Sequence, residues 1–346
     1  LNGKERQVVK GSEALQEGLS RPKSMRAMAP RAIEPSPPVG KASSARRGEA
    51  LKAYGMTAPF LILLAVFNLY VFASGFRLSL SDAQGISDGD YVGLQNYRDA
   101  LWAEPFVSSD FWSAVKTTLL YTAGCLATQI PMAFVLAYVL HAIPQVRLRS
   151  VLRAAFFLPV LLNSVVTALL FRMFFNKDQG IVNHVLGSLG LAHDIDWLGN
   201  SQWAIPLLVA VSFWQWTGFH MVYFLAQLQT IDPTLYEVAR IAGISSWNVL
   251  MRITLPLMRP AITFVMVTAA IGGLQMFDLV FMLFPNATYG PGGVARTLVA
   301  HVYDQGFSQQ FLTGLASAIG WLTFLIIAAV SALQLKVLGL GRHGET

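Results

Sequence analysis

Residues 204–228 read AIPLLVAVSFWQWTGFHMVYFLAQL, with no Asp, Glu, Lys or Arg among them. A helix needs roughly 20 mostly apolar residues to cross the hydrocarbon core of a bilayer. Directly after this run comes a polar stretch, Gln229 to Arg259, which contains Glu237-Val-Ala-Arg-Ile-Ala-Gly243 and Ile253-Thr-Leu255-Pro256. An uncharged run of that length followed by a charged, proline-punctuated stretch reads as a membrane span and its connector. The whole chain has the matching composition: 346 residues, 54% hydrophobic, only 13% charged, with a mean hydropathy of +0.50. A soluble domain is about twice as charged.

Six segments satisfy the span length: about 56–77, 113–140, 153–175, 204–228, 260–284 and 310–336. In lipid every backbone N–H and C=O must be paired within the chain, and apolar runs without period-2 alternation point to helices rather than a barrel. The expected fold class is all-α, a polytopic transmembrane helical bundle with six spans. Lys and Arg near span ends accumulate on the cytoplasmic side. With the N-terminus inside, that side holds twelve, including Arg147, Arg149, Arg153, Arg240, Arg252 and Arg259, and the opposite side holds at most six. Both termini and the Glu237 segment are therefore expected in the cytoplasm.

Residues 1–50 hold ten Lys and Arg against five acids, with Pro30, Pro35, Pro37 and Pro38. Such a composition cannot offset the entropy of ordering, so 1–52 reads as a disordered basic cytoplasmic tail rather than a cleaved signal. Contact of Arg46, Arg47 and Lys52 with anionic headgroups is a second reading. The remaining organisation is a transmembrane domain over 53–340 and a short cytoplasmic tail over 341–346.

The single cysteine, Cys125, excludes an intrachain disulfide and leaves too few thiols for a thiolate metal site. The histidines are scattered, and there is no HExxH, phosphate-binding Gly-Lys loop or nucleophile elbow. Neither a catalytic residue nor a bound metal is expected, and nucleic acid is not expected as a partner. Any energy used for work must come from elsewhere.

The 229–259 connector has more order than a loop requires. Asp232 followed by Pro233 is a helix start, because the carboxylate accepts from first-turn N–H groups and proline tolerates the first position. A helix is expected from about Pro233 to Ala242, ended by Gly243 in a left-handed conformation. Ser245 caps a second short helix that Leu255-Pro256 closes. Ala239 and Ala242 would leave a small-residue face for another surface. The competing reading is an ordinary amphipathic surface loop.

The spacing Glu-x-Ala-x-x-x-Gly-x9-Ile-x-Leu-Pro, met by Glu237, Ala239, Gly243, Ile253, Leu255 and Pro256, resembles the signature of membrane subunits of binding-protein-dependent ABC importers. Val238 stands where that signature usually has Ala, and Ala242-Gly243-Ile244 replaces an Asp-Gly-Ala run. Further segments resemble the sugar-type, maltose-like permeases of that group. These are Val92-Gly-Leu-Gln-Asn-Tyr97, Arg153 with Phe156-Phe-Leu-Pro159, Gly218 after Trp214 and Trp216, Asp278 after Phe277, and Tyr303, Phe307, Gly314 and Ala318 towards the last span. Tyr289-Gly-Pro-Gly-Gly293 is a scrambled form of the group's Thr-x-Gly-Gly-Pro.

The resemblance implies a type I importer permease fold in which 229–259 holds a coupling helix seated in a separate ATPase. It also implies a second permease subunit as a heterodimer partner, two cytosolic ATPase subunits that bind ATP and Mg, an extracytoplasmic binding protein, and a place in a bacterial inner membrane. The chain itself would need no cofactor. The implied cargo is a mono- or oligosaccharide moved by alternating access, with a glycerol phosphate or polyol as the alternative.

Polar and aromatic residues inside spans usually face the bundle interior. Trp214, Thr217, Gly218 and Met221 recur at helical spacing in the fourth span, in positions like those lining the sugar site of maltose-type permeases. Gln275 and Asp278, three apart, would share a face of the fifth span. Asn163, Ser164, Gln129, Gln215 and His220 are weaker candidates, and packing is the competing reading for each. A proton-coupled secondary transporter built on Asp278 and His220 is the other class, but it has no use for the Glu237 segment.

Overall fold

The computed structural model describes residues 42–102, 109–191, 194–284, 288–307 and 311–338. Of the tails expected over 1–52 and 341–346, residues 1–41 and 341–346 lie outside them. The described residues are almost entirely helical, with one isolated bridge between Ser81 and Tyr91. Two units are distinguished, one ending at Phe67 and the other beginning at Asn68. The first contains α1, Ala42–Leu64, which begins within the stretch expected to be a tail. Its described apolar side chains, Phe60, Leu61, Ile62 and Leu63 among them, are exposed.

The second unit holds α2 (Tyr70–Ser79), α3 (Gln95–Leu101), α4 (Ser109–Ala142), α5 (Val146–Phe157), α6 (Ser164–Phe174), α7 (Ile181–Ser188) and α8 (Ser201–Leu228). There follow α9 (Pro233–Ile241), α10 (Ser246–Val249), α11 (Leu255–Leu274), α12 (Asp278–Leu283), α13 (Leu298–Phe307) and α14 (Thr313–Leu338). Five helical runs are long and apolar enough to cross a membrane: Tyr54–Ser79, Asp110–Ala142, Ser201–Leu228, Ser246–Leu274 and Thr313–Leu338. The pair Val146–Leu161 and Ser164–Phe174 meets the same length and composition only when taken together, and it is bent by 94°, as a broken span or a re-entrant loop is.

Two of the expected spans change shape. The third, read as unbroken over 153–175, is interrupted at Leu162 and Asn163. Pro159 sits in a 3-10 turn over Leu158–Leu161, and the Asn163 side chain caps α6 by accepting from Val165 N. Gln215 Nε2 then donates to the Leu162 carbonyl at 3.0 Å, so the carbonyl freed by the break is paired. The fifth span, read as 260–284, ends at Leu274. Met276 and Phe277 leave the helix, Thr297 Oγ1 donates to the Met276 carbonyl at 2.7 Å, and a separate α12 begins at Asp278.

The bundle is centred on α4 and α8. Half of the α8 window is buried within the chain, the largest share of any span. Lipid tails are as apolar as leucine, so packing here depends on close van der Waals fit. Small residues provide it: a Cβ on Gly124 would come within 2.9 Å of Val209, and one on Gly273 within 2.9 Å of Thr122 Oγ1. Tyr121 and Ser212 join α4 to α8 through a 2.5 Å hydroxyl contact. Thr118, Thr263, Thr268 and Thr323 return their hydroxyls to the carbonyl four residues back.

Three buried clusters follow. Ile130, Leu140, Met221, Leu228, Ile231 and Met258 gather at the end that holds α9. Leu207, Leu279, Phe284 and Tyr289 gather at the opposite end, and Phe111, Leu298, Leu315 and Ile319 join α4 to α13 and α14. The opposite end is also clasped by charge. Arg296 Nη1 donates to Asp110 Oδ2 at 2.8 Å, Arg296 Nε stands 3.4 Å from Asp304 Oδ2, and the buried Tyr289 donates to Asp304 Oδ1 at 2.6 Å. Burial pushes the Asp304 carboxyl above its ordinary value, while the Tyr289 hydrogen bond and the Arg296 charge act against that.

Candidate functional site

The 229–259 segment folds as its capping residues dictate. Asp232 Oδ1 accepts from Thr234 N at 2.9 Å, with Pro233 in the first turn of α9. The backbone N–H of Thr234 is also the leading cause of the lowered pKa of that carboxyl. At the other end Gly243 N donates to Arg240 O and Ile244 N to Ala239 O, with Gly243 at φ +68°. These are the paired bonds of a Schellman ending, which needs a residue able to take the left-handed conformation. Ser245 Oγ accepts from Asn248 N at 3.4 Å and opens α10.

The structure corrects two expectations here. Leu255-Pro256 does not close a short second helix. The run continues from Ser246 through a π-turn over Leu250–Thr254 into α11 and on to Leu274. Proline lacks an N–H and its ring clashes with the carbonyl four residues back. The π-turn, in which Leu255 N reaches back to Leu250 O, makes room for it. Nor does Ala239 belong to an open small-residue face: it is 2% exposed and turned into the chain, while Ala242 is open. Tyr236 anchors the same inner side, packed on the α9-end cluster with its hydroxyl 3.3 Å from Thr254 Oγ1.

The outward side of α9 and its turn is apolar. Leu235, Val238 and Ile241 follow one another at helical spacing, Ile241 is 87% exposed, and Ile244 and Trp247 continue the patch. Glu237 is exposed beside it, and Arg240 and Arg252 rim it. Ile253, Leu255 and Pro256 are partly buried in the continuous helix. Of the six signature residues, Glu237 and Gly243 therefore reach the surface, and the other four fix the segment to the bundle.

A cavity of about 140 Å³ lies among α4, α8 and α11. Tyr121 and Gln129 line it from α4, Trp216, Phe219 and His220 from α8, and Thr268, Gly272 and Met276 from α11 and its end. A Cβ on Gly272 would meet nothing within 4 Å, so that glycine leaves space where a side chain would intrude. No Lys, Arg, Asp or Glu lines the cavity. Its wall combines aromatic faces with the hydrogen-bonding groups of Gln129, Thr268 and His220.

None of the six expected solute contacts lines this cavity. Trp214 lies two residues from Trp216, so it points to another side of α8 and packs edge-on to Phe171 at 5.2 Å. Thr217 returns its hydroxyl to the Phe213 carbonyl. Gly218 is where α8 meets the Phe156 carbonyl so closely that an added Cβ would overlap it, and Met221 is buried in the α9-end cluster. Gln275 and Asp278 are exposed at the break after α11, so they do not share a helix face. Of the weaker candidates, Gln129 and His220 line the cavity, Asn163 and Ser164 start α6, and Gln215 holds the bend. Trp216, Phe219 and Gly272 line the cavity and were not among the expected contacts. Among the described residues no group of three or more His, Cys, Asp or Glu side chains could hold a metal ion.

A family model described as "Binding-protein-dependent transport system inner membrane component" matches residues 129–338, which include both the cavity-lining helices α8 and α11 and the whole α9 segment. The arabinooligosaccharides transport system permease protein AraP of Bacillus subtilis (strain 168) is 32% identical over 313 residues, 89% of this chain and 96% of that protein. The lactose transport system permease protein LacF of Rhizobium radiobacter is 33% identical over 293 residues, 84% of this chain and 95% of that protein. A solved bacterial alginate ABC transporter, in complex with a periplasmic protein, contains a chain that superimposes with a TM-score of 0.74. It has 23% identity and covers 87% of this chain and 98% of that one. The chain belongs to the binding-protein-dependent inner membrane transport family, and it has the type I ABC importer permease fold.

Proposed function

We propose, from the premise that this chain is a multi-pass permease of a binding-protein-dependent ABC transport system, that it imports a neutral carbohydrate through the cavity between α4, α8 and α11. The observation that supports this most is the continuous helix Ser246–Leu274. One end of it abuts the exposed apolar patch of α9, and the other presents Gly272 to the cavity.

In this reading an extracytoplasmic binding protein delivers the solute to this permease and a second one. Two ATPase subunits, which bind ATP and Mg, receive α9 of each permease on the cytoplasmic side of a bacterial inner membrane, where both termini also lie. Leu235, Val238 and Ile241 fill an apolar cleft of the ATPase, and Glu237 and Gly243 lie against its rim. ATP binding draws the two α9 segments together and turns the cavity outward, and hydrolysis resets it.

The carbohydrate class follows from the wall. Trp216 and Phe219 offer aromatic faces to the C–H faces of a sugar ring, and Gln129, Thr268 and His220 offer partners for hydroxyls. The absence of a cationic wall residue favours an uncharged sugar over a glycerol phosphate, whose charge would need Arg or Lys. The relatives named for arabinooligosaccharides and lactose, both neutral, accord with this.

The test uses this chain reconstituted with its ATPase, second permease and binding protein. Gly243→Asp places a charge on the docking patch. We expect it to abolish both uptake and solute-stimulated ATP hydrolysis while membrane insertion stays normal. Wild-type transport by that variant would sink the assignment of α9.

A further inference from the structure

His301 lies near the start of α13 and is completely buried, yet neither ring nitrogen has a hydrogen-bond partner among the described residues. A neutral imidazole carries one N–H donor and one acceptor, so enclosing it without partners is costly. It lies beside the charge clasp at this end of the bundle and feels both Arg296 and Asp110. Burial first, and then the Arg296 charge, hold its pKa down to about 4, with Asp110 acting against them.

The other ionisable groups of the neighbouring elements have their own partners or face outward. Asp304, further along α13, accepts from Tyr289 and faces Arg296. Tyr303 packs on Phe277, Phe281 and Phe307. From α4 come Lys116, which is exposed, and Tyr121, whose hydroxyl meets Ser212. From α3 come Arg98, also exposed, and Asp99, which accepts from Gln95. Helix α14 has no titratable side chain before Lys336 in its last turn.

One residue joins the clasp to the cavity. Thr297, next to Arg296, is fully buried and donates to the Met276 carbonyl at 2.7 Å, and Met276 lines the cavity. The same hydroxyl accepts from Ala300 N at 3.4 Å, and Thr118 Oγ1 of α4 accepts from Leu298 N at 2.9 Å. The first turn of α13 is thus held between the clasp and the cavity wall.

We propose that His301 is an acid-sensitive release for this end of the cavity: on taking a proton it drives Arg296 off Asp110 and Asp304, and the first turn of α13 carries Thr297 away from Met276. Two cations side by side in a buried site repel strongly. Arg296 is the one able to leave, because its side chain is 28% exposed while His301 is enclosed. The protonated ring then donates to a carboxylate that Arg296 has given up. A released imidazole takes its proton near the ordinary 6.5 and the enclosed one only near 4, so opening grows as pH falls through that range and levels off below it. The Asp304 carboxyl has the opposite sign. Its value is raised in the closed form, so it is protonated there first and favours closure. The proposal concerns the cavity wall and holds whether or not the cargo is a sugar.

Hydrogen exchange of the full chain in detergent tests it, read by mass spectrometry between pH 7 and pH 5 and corrected for the intrinsic pH dependence of amide exchange. In wild type, exchange over 295–303 and over 274–278 is expected to rise at least about tenfold, the factor carried by one pH unit of difference in proton affinity between the two forms. Helix α8 should stay unchanged. His301→Gln should show no rise in either segment. Thr297→Val should keep the rise over 295–303 and lose it over 274–278. Asp304→Asn removes the competing carboxyl and should leave the rise intact, and it decides the matter if circular dichroism shows that His301→Gln does not fold. No rise in wild type overturns the proposal, as does a rise shared by α8, which is general unfolding. An equal rise in His301→Gln, its loss in Asp304→Asn, or its survival over 274–278 in Thr297→Val overturns it as well.

Discussion

At the scale of single residues, two glycines do different work. Gly243 has open space around its missing side chain and is required for its backbone, at φ +68°. Gly243→Ala should therefore cost about 1–2 kcal/mol of local helix stability through the left-handed strain alone, and Gly243→Asn about half of that. Hydrogen exchange at Ile244 N reads the difference. Gly218 is the reverse case, with ordinary helical backbone and no room. Gly218→Ala pushes a methyl group into the Phe156 carbonyl, which is backbone and cannot rotate away. We expect loss of the folded bundle or a thermal midpoint lowered by several degrees in detergent, and an unchanged melt would contradict the close approach. The sequence marked both positions as significant, but only the structure separates the reasons, because the neighbour that constrains Gly218 is 62 residues away in the chain.

Among the elements, local chemistry was the legible part. Asp232-Pro233 and Gly243 gave the start and end of α9 because caps depend on residues within one turn of each other. The break in the fifth span was hidden for the opposite reason. Met276 and Phe277 are apolar and do not end a helix by themselves, and the bond that takes the Met276 carbonyl comes from Thr297. The cavity is lined by a different stripe of α8 from the one expected to meet solute. Trp214, Thr217, Gly218 and Met221 repeat at helical spacing, and so do Trp216, Phe219 and His220 two residues further on. Because α8 is apolar on every side, its own sequence does not say which stripe faces the cavity. The two stripes make opposite predictions. Gly272→Leu should fill the cavity and reduce solute uptake by at least about tenfold, the effect of roughly 1.4 kcal/mol. Basal ATP hydrolysis by the assembled complex should stay unchanged. Trp214→Ala, off the cavity, should leave the apparent affinity for solute as it was, and a large loss there would favour the other stripe.

On the scale of the whole molecule, the two ends of the bundle are stabilised by unlike means. The α9 end is an apolar cluster with an open patch. The far end is joined by Arg296 between Asp110 and Asp304, with Tyr289 completing the set. Arg296→Met should lower stability by about 2 kcal/mol at neutral pH, the scale of a hydrogen bond to a charged group. Its pH dependence has a definite sign. Burial already raises the Asp304 carboxyl, and removing the Arg296 charge removes an influence that lowers it. The variant therefore pays most where Asp304 is ionised, and its deficit against wild type should shrink as pH falls through the raised value of that carboxyl. Melting curves of both proteins across acid and neutral pH measure this, and a deficit that grows on acidification would refute it.

The unbroken helix from Ser246 to Leu274 has one more consequence. From Trp247 to Gly272 it measures about 37 Å at 1.5 Å per residue, longer than the hydrocarbon layer is thick. A rod of that length works as a lever: a tilt of about five degrees about one end displaces the other by about 3 Å. The π-turn at Leu250–Thr254 interrupts its regular hydrogen bonding. Stiffening or loosening that single turn should set how much of a displacement at Trp247 arrives at Gly272, and so tune the gain of the proposed lever without touching either the proposed docking patch or the proposed solute wall.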